Sequence, residues 1–383
     1  MKIIKYFFLL LFFSQLNAQL YIPSDKTLFV SDTDFLYVDF ELVNEGVLQF
    51  GTTVDATGDL YIDSGLNNAS GSLTLNKSSL HLGSDQTRAS GNHDLIFNDN
   101  DDTFKYVTLG KDTGTYTISP SSGGVLNITN TFTVNSGILN ANDKAILKST
   151  SFDNTAIVPE SVSGTVNGIR VERFIPGERA FRILASPVNT SGSSKPSIFD
   201  NWQQEGLNPE DTDYRPNVGT HITGGAASDG FDQNASGNPS MFTFDITNQT
   251  WDAISGNTNV RTLDNSVAYF ILVRGDRSVD LSIDDSNSPP TTLEQTGSLH
   301  IGAKTQTYSV ADPSETFVAI ANPYQAPVNM NKVIGASDPF FKNQIWIWNQ
   351  IDDSSGQWVN LDDLSNPSSG TNVPGSNVTE DIQ

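Results

Sequence analysis

Leu42-Val43-Asn44-Glu45-Gly46-Val47-Leu48, then Leu60-Tyr61-Ile62 ahead of Ser64-Gly65, then Ser70-Gly71-Ser72-Leu73-Thr74-Leu75 and Leu80-His81-Leu82, decide the fold of this chain. Each piece is short, alternates apolar with polar side chains and stops at Gly, Asn or Ser, the signature of strands bounded by turns. None is long enough to bury a face by itself. Stacked as successive rungs, such pieces enclose one continuous apolar interior, which is how a β-solenoid is built. Asn, Ser and Thr at the punctuation points fit turns that need left-handed backbone or local side-chain hydrogen bonds.

The same grain runs from Leu20 to Ser163, through Leu36-Tyr37-Val38, Val125-Leu126-Asn127-Ile128, Phe132-Thr133-Val134, Ser136-Gly137-Ile138-Leu139 and Ala145-Ile146-Leu147. The repeat is degenerate, so a plain β-sandwich over these residues stays open as the competing architecture. No window repeats apolar residues with a helical period. From about Val166 the strands lengthen and become aromatic, as in Met241-Phe242-Thr243-Phe244, Ala268-Tyr269-Phe270-Ile271-Leu272-Val273 and Gln344-Ile345-Trp346-Ile347-Trp348. Long loops rich in Pro, Gly and Asp join them, a pattern of two-sheet folds of the jelly-roll kind. The expected fold is all-β: a degenerate β-solenoid over residues 19–165, then a jelly-roll-like β-sandwich over 166–383.

Residues 1–18 read as an export signal, with Lys2 and Lys5 ahead of the apolar run Tyr6 to Phe13, and Leu16-Asn17-Ala18 before Gln19. The run is too short to cross a bilayer, which takes about 20 apolar residues. The expectation is a mature chain starting at Gln19, without membrane insertion, outside the cell or on its outer surface. The sequence carries 21 Lys+Arg against 44 Asp+Glu, a formal charge of −23, and losing the two lysines of the signal deepens it. Such a surface disfavours nucleic acid, whose binding needs clustered cations to displace counterions. There is no cysteine, which excludes thiol catalysis, disulfides and Cys zinc sites and leaves stability to a sizeable core.

Motifs for chemistry are sparse. The four histidines (His81, His93, His221 and His300) are scattered, with no HExxH, nucleophile elbow, P-loop or GxGxxG. His221, beside the Gly-rich stretch that follows it, is the one worth testing, although a packed role is the default. Adjacent acids such as Asp284-Asp285 do not make a glycosidase pair, because neighbours on a strand point to opposite faces. Asn98-Asp99-Asn100-Asp101-Asp102 concentrates hard oxygen ligands, so Asp99, Asp101 and Asp102 are candidates for a structural calcium site, against a solvated turn as the plainer alternative. No other cofactor is expected. Trp346 and Trp348 share one face of their strand, and with Trp202 they are candidate sugar-stacking residues, weighed against simple core filling.

Val171-Glu172-Arg173-Phe174-Ile175-Pro176, followed by Arg179-Ala180-Phe181-Arg182-Ile183-Leu184-Ala185-Ser186-Pro187-Val188, resembles a module of large secreted proteins of Bacteroidetes, especially flavobacteria. The resemblance continues through Gly219-Thr220-His221-Ile222, Val273-Arg274-Gly275-Asp276-Arg277 and Asn322-Pro323-Tyr324-Gln325. It implies cargo of the type IX secretion system, with β-helix-like rungs ahead of a sandwich and adhesive or surface-matrix roles. In similar sequences the stretch ending at Gln383 is followed by a further strand and a sorting domain. The expectation is therefore an incomplete chain, which would stop in the periplasm if the sorting domain were truly missing. Arg173, Arg179 and Arg182 are expected to brace the junction of the two halves through carboxylates.

The leading functional expectation is a non-enzymatic secreted or cell-surface protein, adhesive or structural, with extracellular glycans or surface matrix as partners. One alternative is a polysaccharide-active lyase or glycosidase on the β-helix. A lyase needs an Arg or Lys base beside acidic ligands in one groove. Residues 20–165 offer only Lys26, Lys77, Arg88, Lys105, Lys111, Lys144 and Lys148, in no recognisable constellation. Another alternative is a spacer for the sorting domain.

Overall fold

In a computed structural model, the structure describes residues 19–52, 57–74, 78–83, 91–98, 102–110, 113–151, 153–159, 163–283, 288–310, 316–335, 345–349, 357–361 and 381–382. The export-signal stretch 1–18, Asp99 and Asp101 lie outside the described residues. The molecule is all-β, and its N-terminal part is a β-solenoid of about 5 turns.

One face of the solenoid stacks Gln19–Ile22, Glu41–Asn44, Leu66–Asn67, Asn92–Ile96, Thr115–Ile118, Ile138–Asn140 and Thr165–Asn167, all parallel. A second stacks Phe35–Val38, Asp59–Ile62, Ser79–Leu82, Asp102–Leu109, Leu126–Val134, Ala145–Leu147 and Ile169–Ile175. The early turns carry a third face of Thr27–Val30, Val47–Phe50 and Ser72–Thr74. Asp102–Leu109 and Leu126–Val134 are longer, and their register shifts between Phe104 and Tyr106. Such a bulge bends the strand, so one long strand turns the corner that two short ones turned before.

Register explains why short strands suffice. Leu42 pairs with Leu66, Leu66 with Leu95 and Leu95 with Ile118. On the next face Leu60, Leu80, Val107 and Phe132 line up in the same way. All are buried, and each such side chain contributes about 1.5–3 kcal/mol relative to exposure. Turns stack as closely as strands. A Cβ on Gly110 would lie 1.9 Å from the Gly83 carbonyl oxygen, so only glycine fits there. At one corner the filling is polar: Asn44 Nδ2 donates to Asn68 Oδ1 (2.7 Å), and Asn68 Nδ2 donates to Asp102 Oδ2 (2.9 Å).

The strand Ile169–Ile175 is the seam. It pairs parallel with Ala145–Leu147 on one side and antiparallel with Thr291–Leu299 on the other. The hydrogen-bonded sheet thus crosses the 165/166 division without a break. A second sheet, in the order Ala180–Leu184, Tyr269–Val273, Met241–Asp245, Thr250–Ala253, is antiparallel throughout. Between the two sheets lies a core that includes Ile175, Leu293, Trp202, Met241 and Ile271. The last solenoid turn is also covered: Val158 N donates to Gln325 O (2.8 Å), and Gln325 Nε2 donates to Ala156 O (3.0 Å). A capped edge cannot template further strands.

Candidate functional site

Alternation along Tyr269–Val273 puts Tyr269, Ile271 and Val273 into the core and sends Phe270 outward. Phe270 meets Phe181 (4.7 Å between centroids, stacked) and Trp251 (5.3 Å), so the outer side of this sheet is an aromatic layer. The hairpin Ile345–Asn349 with Gln357–Leu361 lies over it. Trp348 stands opposite Trp358 in that hairpin, and Trp346, two residues along, shares their face. Trp348 meets Phe270 edge-on at 5.0 Å, while Trp358 lies nearly parallel to Trp251 at 6.5 Å. Trp346 contacts Phe317 at 6.5 Å. Trp346 and Trp358 each keep 42% of their surface exposed. The result is a pair of half-exposed indoles, Trp358 seated on the aromatic layer and Trp346 beside it against Phe317.

The three tryptophans singled out by sequence therefore separate. Trp202 is 1% exposed, and its Nε1 donates to Gln295 Oε1 (2.7 Å). It fills the sandwich core and cannot touch a ligand, which corrects its assignment as a sugar-binding residue. Trp348 is half-buried beneath the hairpin. Trp346 remains at the surface and gains Trp358, which the sequence reading missed because only the cross-strand register brings them to one face.

A second aromatic row lies outside the solenoid, where Tyr37, Tyr61 and His81 are in register. Tyr61 and His81 stack at 4.3 Å with planes 9° apart, and the Tyr37 hydroxyl donates to Asp63. Tyr61 and His81 thus spend a face on each other and reinforce the turns, while Tyr37 is tilted 45° to Tyr61 at 6.4 Å.

At the seam, outward-facing residues of four consecutive strands floor a cleft of about 380 Å³. Thr103, Asn127, Ile146 and Arg170 form one row by register, with Thr129, Lys148 and Glu172 beside it and Arg215 reaching over from the sandwich. Lys148 Nζ donates to Glu172, whose other oxygen accepts from Ser149 N (3.1 Å). Arg170 Nε donates to Asp143 (2.8 Å), and Arg215 grips Glu294 through both terminal nitrogens (2.7 and 2.5 Å). Burial opposes the charges of Arg170 and Asp143, but their mutual hydrogen bond and attraction prevail, raising the Arg170 pKa and lowering that of Asp143.

The junction is thus braced by Arg170 and Arg215, neither of which the motif reading selected. Arg182 instead donates to the carbonyls of Pro176 (3.3 Å), Glu178 (3.4 Å) and Ala180 (3.2 Å), and burial pushes its pKa down to about 10. That corrects its expected carboxylate pairing: it holds the turn between two strands. Burial also pushes down Arg173, which has no carboxylate in salt-bridge reach among the described residues. Arg179 is half-buried in the same turn. Asp102 points inward to the asparagine ladder, and among the described residues no group of three or more His, Cys, Asp or Glu side chains converges. His221 is buried, with Nδ1 3.4 Å from Asp232 Oδ1 and Nε2 3.1 Å from Val279 O, in a network that Arg277 closes onto Asp232 (2.9 Å). The Arg274-Gly275-Asp276 tripeptide is buried as well, its aspartate accepting from Tyr214 and from Asn217 N.

Compared with known protein families, curated proteins and solved structures, the chain matches none.

Proposed function

We propose that this chain is an exported, non-enzymatic glycan-binding protein that works at or beyond the cell surface, with the solenoid as its stalk and the sandwich as its binding module. The observation that carries the reading is the pair Trp346 and Trp358, half-exposed on one hairpin face, with Trp358 packed against Trp251 and Trp348 and Trp346 against Phe317. An exposed indole on a rigid bed offers an apolar face to the C–H side of a sugar ring while losing little side-chain entropy on binding. The N-terminal signal pattern and the resemblance to type IX secretion cargo support the location.

The competing enzyme reading has less support. A lyase base must give up its proton near neutral pH, and Asp143 holds Arg170 in its charged form. Glu294 has both oxygens in the Arg215 guanidinium, so it is poorly placed to act as a glycosidase acid. A glycan array with the full chain tests the proposal. Specific binding should fall by about tenfold or more in Trp346→Ala and Trp358→Ala. Neutral-glycan binding that survives both substitutions, or none by the wild type, refutes it.

A further inference from the structure

We propose that the seam cleft is a second binding site, for the anionic group of an acidic sugar residue. The proposal takes its ligand class from the glycan-binding reading, but it shares no residue with the tryptophan surface. In a chain with 44 acids and 21 Lys+Arg, three cations, Lys148, Arg170 and Arg215, line one cleft in which Glu172 is the single lining acid. Their partners Asp143 and Glu294 are not among the cleft-lining residues.

The cations keep donors in reserve. An ammonium has three and a guanidinium five. Among the described residues Lys148 gives one to Glu172 and Arg215 two to Glu294. Arg215 is 43% exposed on its side chain, so it can meet a ligand without rearranging the sandwich. The floor supplies the rest of the chemistry. Thr103, Asn127 and Thr129 offer donors and acceptors for hydroxyls, and Val125 and Ile146 offer an apolar patch for a ring face. A ligand that uses all three features is a polyhydroxylated ring bearing a carboxylate or a sulfate. The acidic surface elsewhere favours short oligosaccharides over long polyanions, and at about 0.15 M salt the screening length of roughly 8 Å removes most of the distant repulsion.

Isothermal titration of the full chain with a trigalacturonate, a sulfated disaccharide and a neutral trisaccharide tests this. One or both acidic probes should bind at least about tenfold more tightly than the neutral one. Binding to one alone identifies carboxylate or sulfate as the source. Arg215→Gln and Lys148→Gln should each weaken acidic binding about tenfold, while Glu172→Gln, which removes the competitor for Lys148, should tighten it. The paired Trp346→Ala/Trp358→Ala variant should leave acidic binding unchanged. Equal affinity for acidic and neutral probes overturns the proposal. So does undiminished binding by Arg215→Gln and Lys148→Gln, or weaker binding by Glu172→Gln, which is the result of a purely structural network. Binding of neutral glycans alone removes the cleft site and leaves the tryptophan surface standing. Loss of acidic binding in the tryptophan variant moves the ligand to that surface.

Discussion

In the solenoid each strand meets its counterparts one turn above and below, as Leu60 meets Leu36 and Leu80. In the sandwich a single side chain, Trp202, reaches from a long loop to Gln295 on the seam sheet and to Tyr269 on the opposite one. The two regions use similar short strands but distribute their stability differently. A stack of like turns behaves as a one-dimensional array in which damage spreads to neighbours only. A two-sheet core centred on one large residue fails as a unit. All five tryptophans lie at or beyond Trp202, so indole fluorescence reports the sandwich, and amide exchange can follow the solenoid separately.

The largest effect is expected from Trp202→Ala. It removes a fully buried indole and strands the Gln295 side chain, for a loss of about 3–5 kcal/mol. Urea titration followed by fluorescence should show one cooperative transition shifted to low denaturant, while amides of the early turns keep their protection. A solenoid that melts together with the sandwich would break the comparison. Leu60→Ala should cost about 2–5 kcal/mol but read out differently. Exchange protection should fall in Phe35–Val38 and Ser79–Leu82, and the fluorescence transition should stay put.

Much of this contrast was legible in the sequence, because inward positions of the solenoid must be apolar whatever else varies. Leu42, Leu60, Leu80 and Leu126 announce the rungs by alternation alone. The change from three faces to two was not legible, since it depends on a bulge at Phe104/Tyr106 that no residue type marks. The seam was hidden for a related reason. Val171-Glu172-Arg173-Phe174 reads as one strand, and nothing local shows that it pairs parallel on one side and antiparallel on the other. The candidate surfaces suffered most. Trp346 was found from its own strand, whereas Trp358, Arg170 and Arg215 acquire meaning only through register and loop reach.

Polar filling gives a smaller test of the same contrast. Asn68→Ala removes the acceptor for Asn44 Nδ2 and the donor to Asp102 Oδ2 inside the solenoid corner. The expected cost is about 1–3 kcal/mol, the penalty for buried polar groups left short of partners. It should be confined to the turns around Asn44 and Asp102 in an exchange experiment. A double variant with Asn44→Ala should lose less than the sum of the two single variants, because the pair shares one hydrogen bond.

Acid offers the mildest perturbation and separates the two regions by charge. Burial pushes Asp232 upward, but the His221 hydrogen bond and the Arg277 charge outweigh it, so its pKa lies below the ordinary carboxylate range. Asp143 is lowered in the same way by Arg170 and Lys195. A carboxyl group that holds its proton less tightly when folded stabilises the fold fully above its unfolded value of about 3.9. That contribution fades as pH falls through the folded value. The contribution of Asp232 to sandwich stability, followed by fluorescence, should therefore be flat from neutral pH to about 4.5 and then decline, on top of an earlier loss below about pH 6.5 from His300, whose pKa burial and the Lys304 charge push down. Asp232→Asn should lower the plateau and make the decline shallower, since the group that titrates is gone. An unchanged slope in that variant would move the acid sensitivity away from the His221–Asp232–Arg277 network to the other lowered carboxylates, Asp276 in the sandwich and Asp143 at the seam.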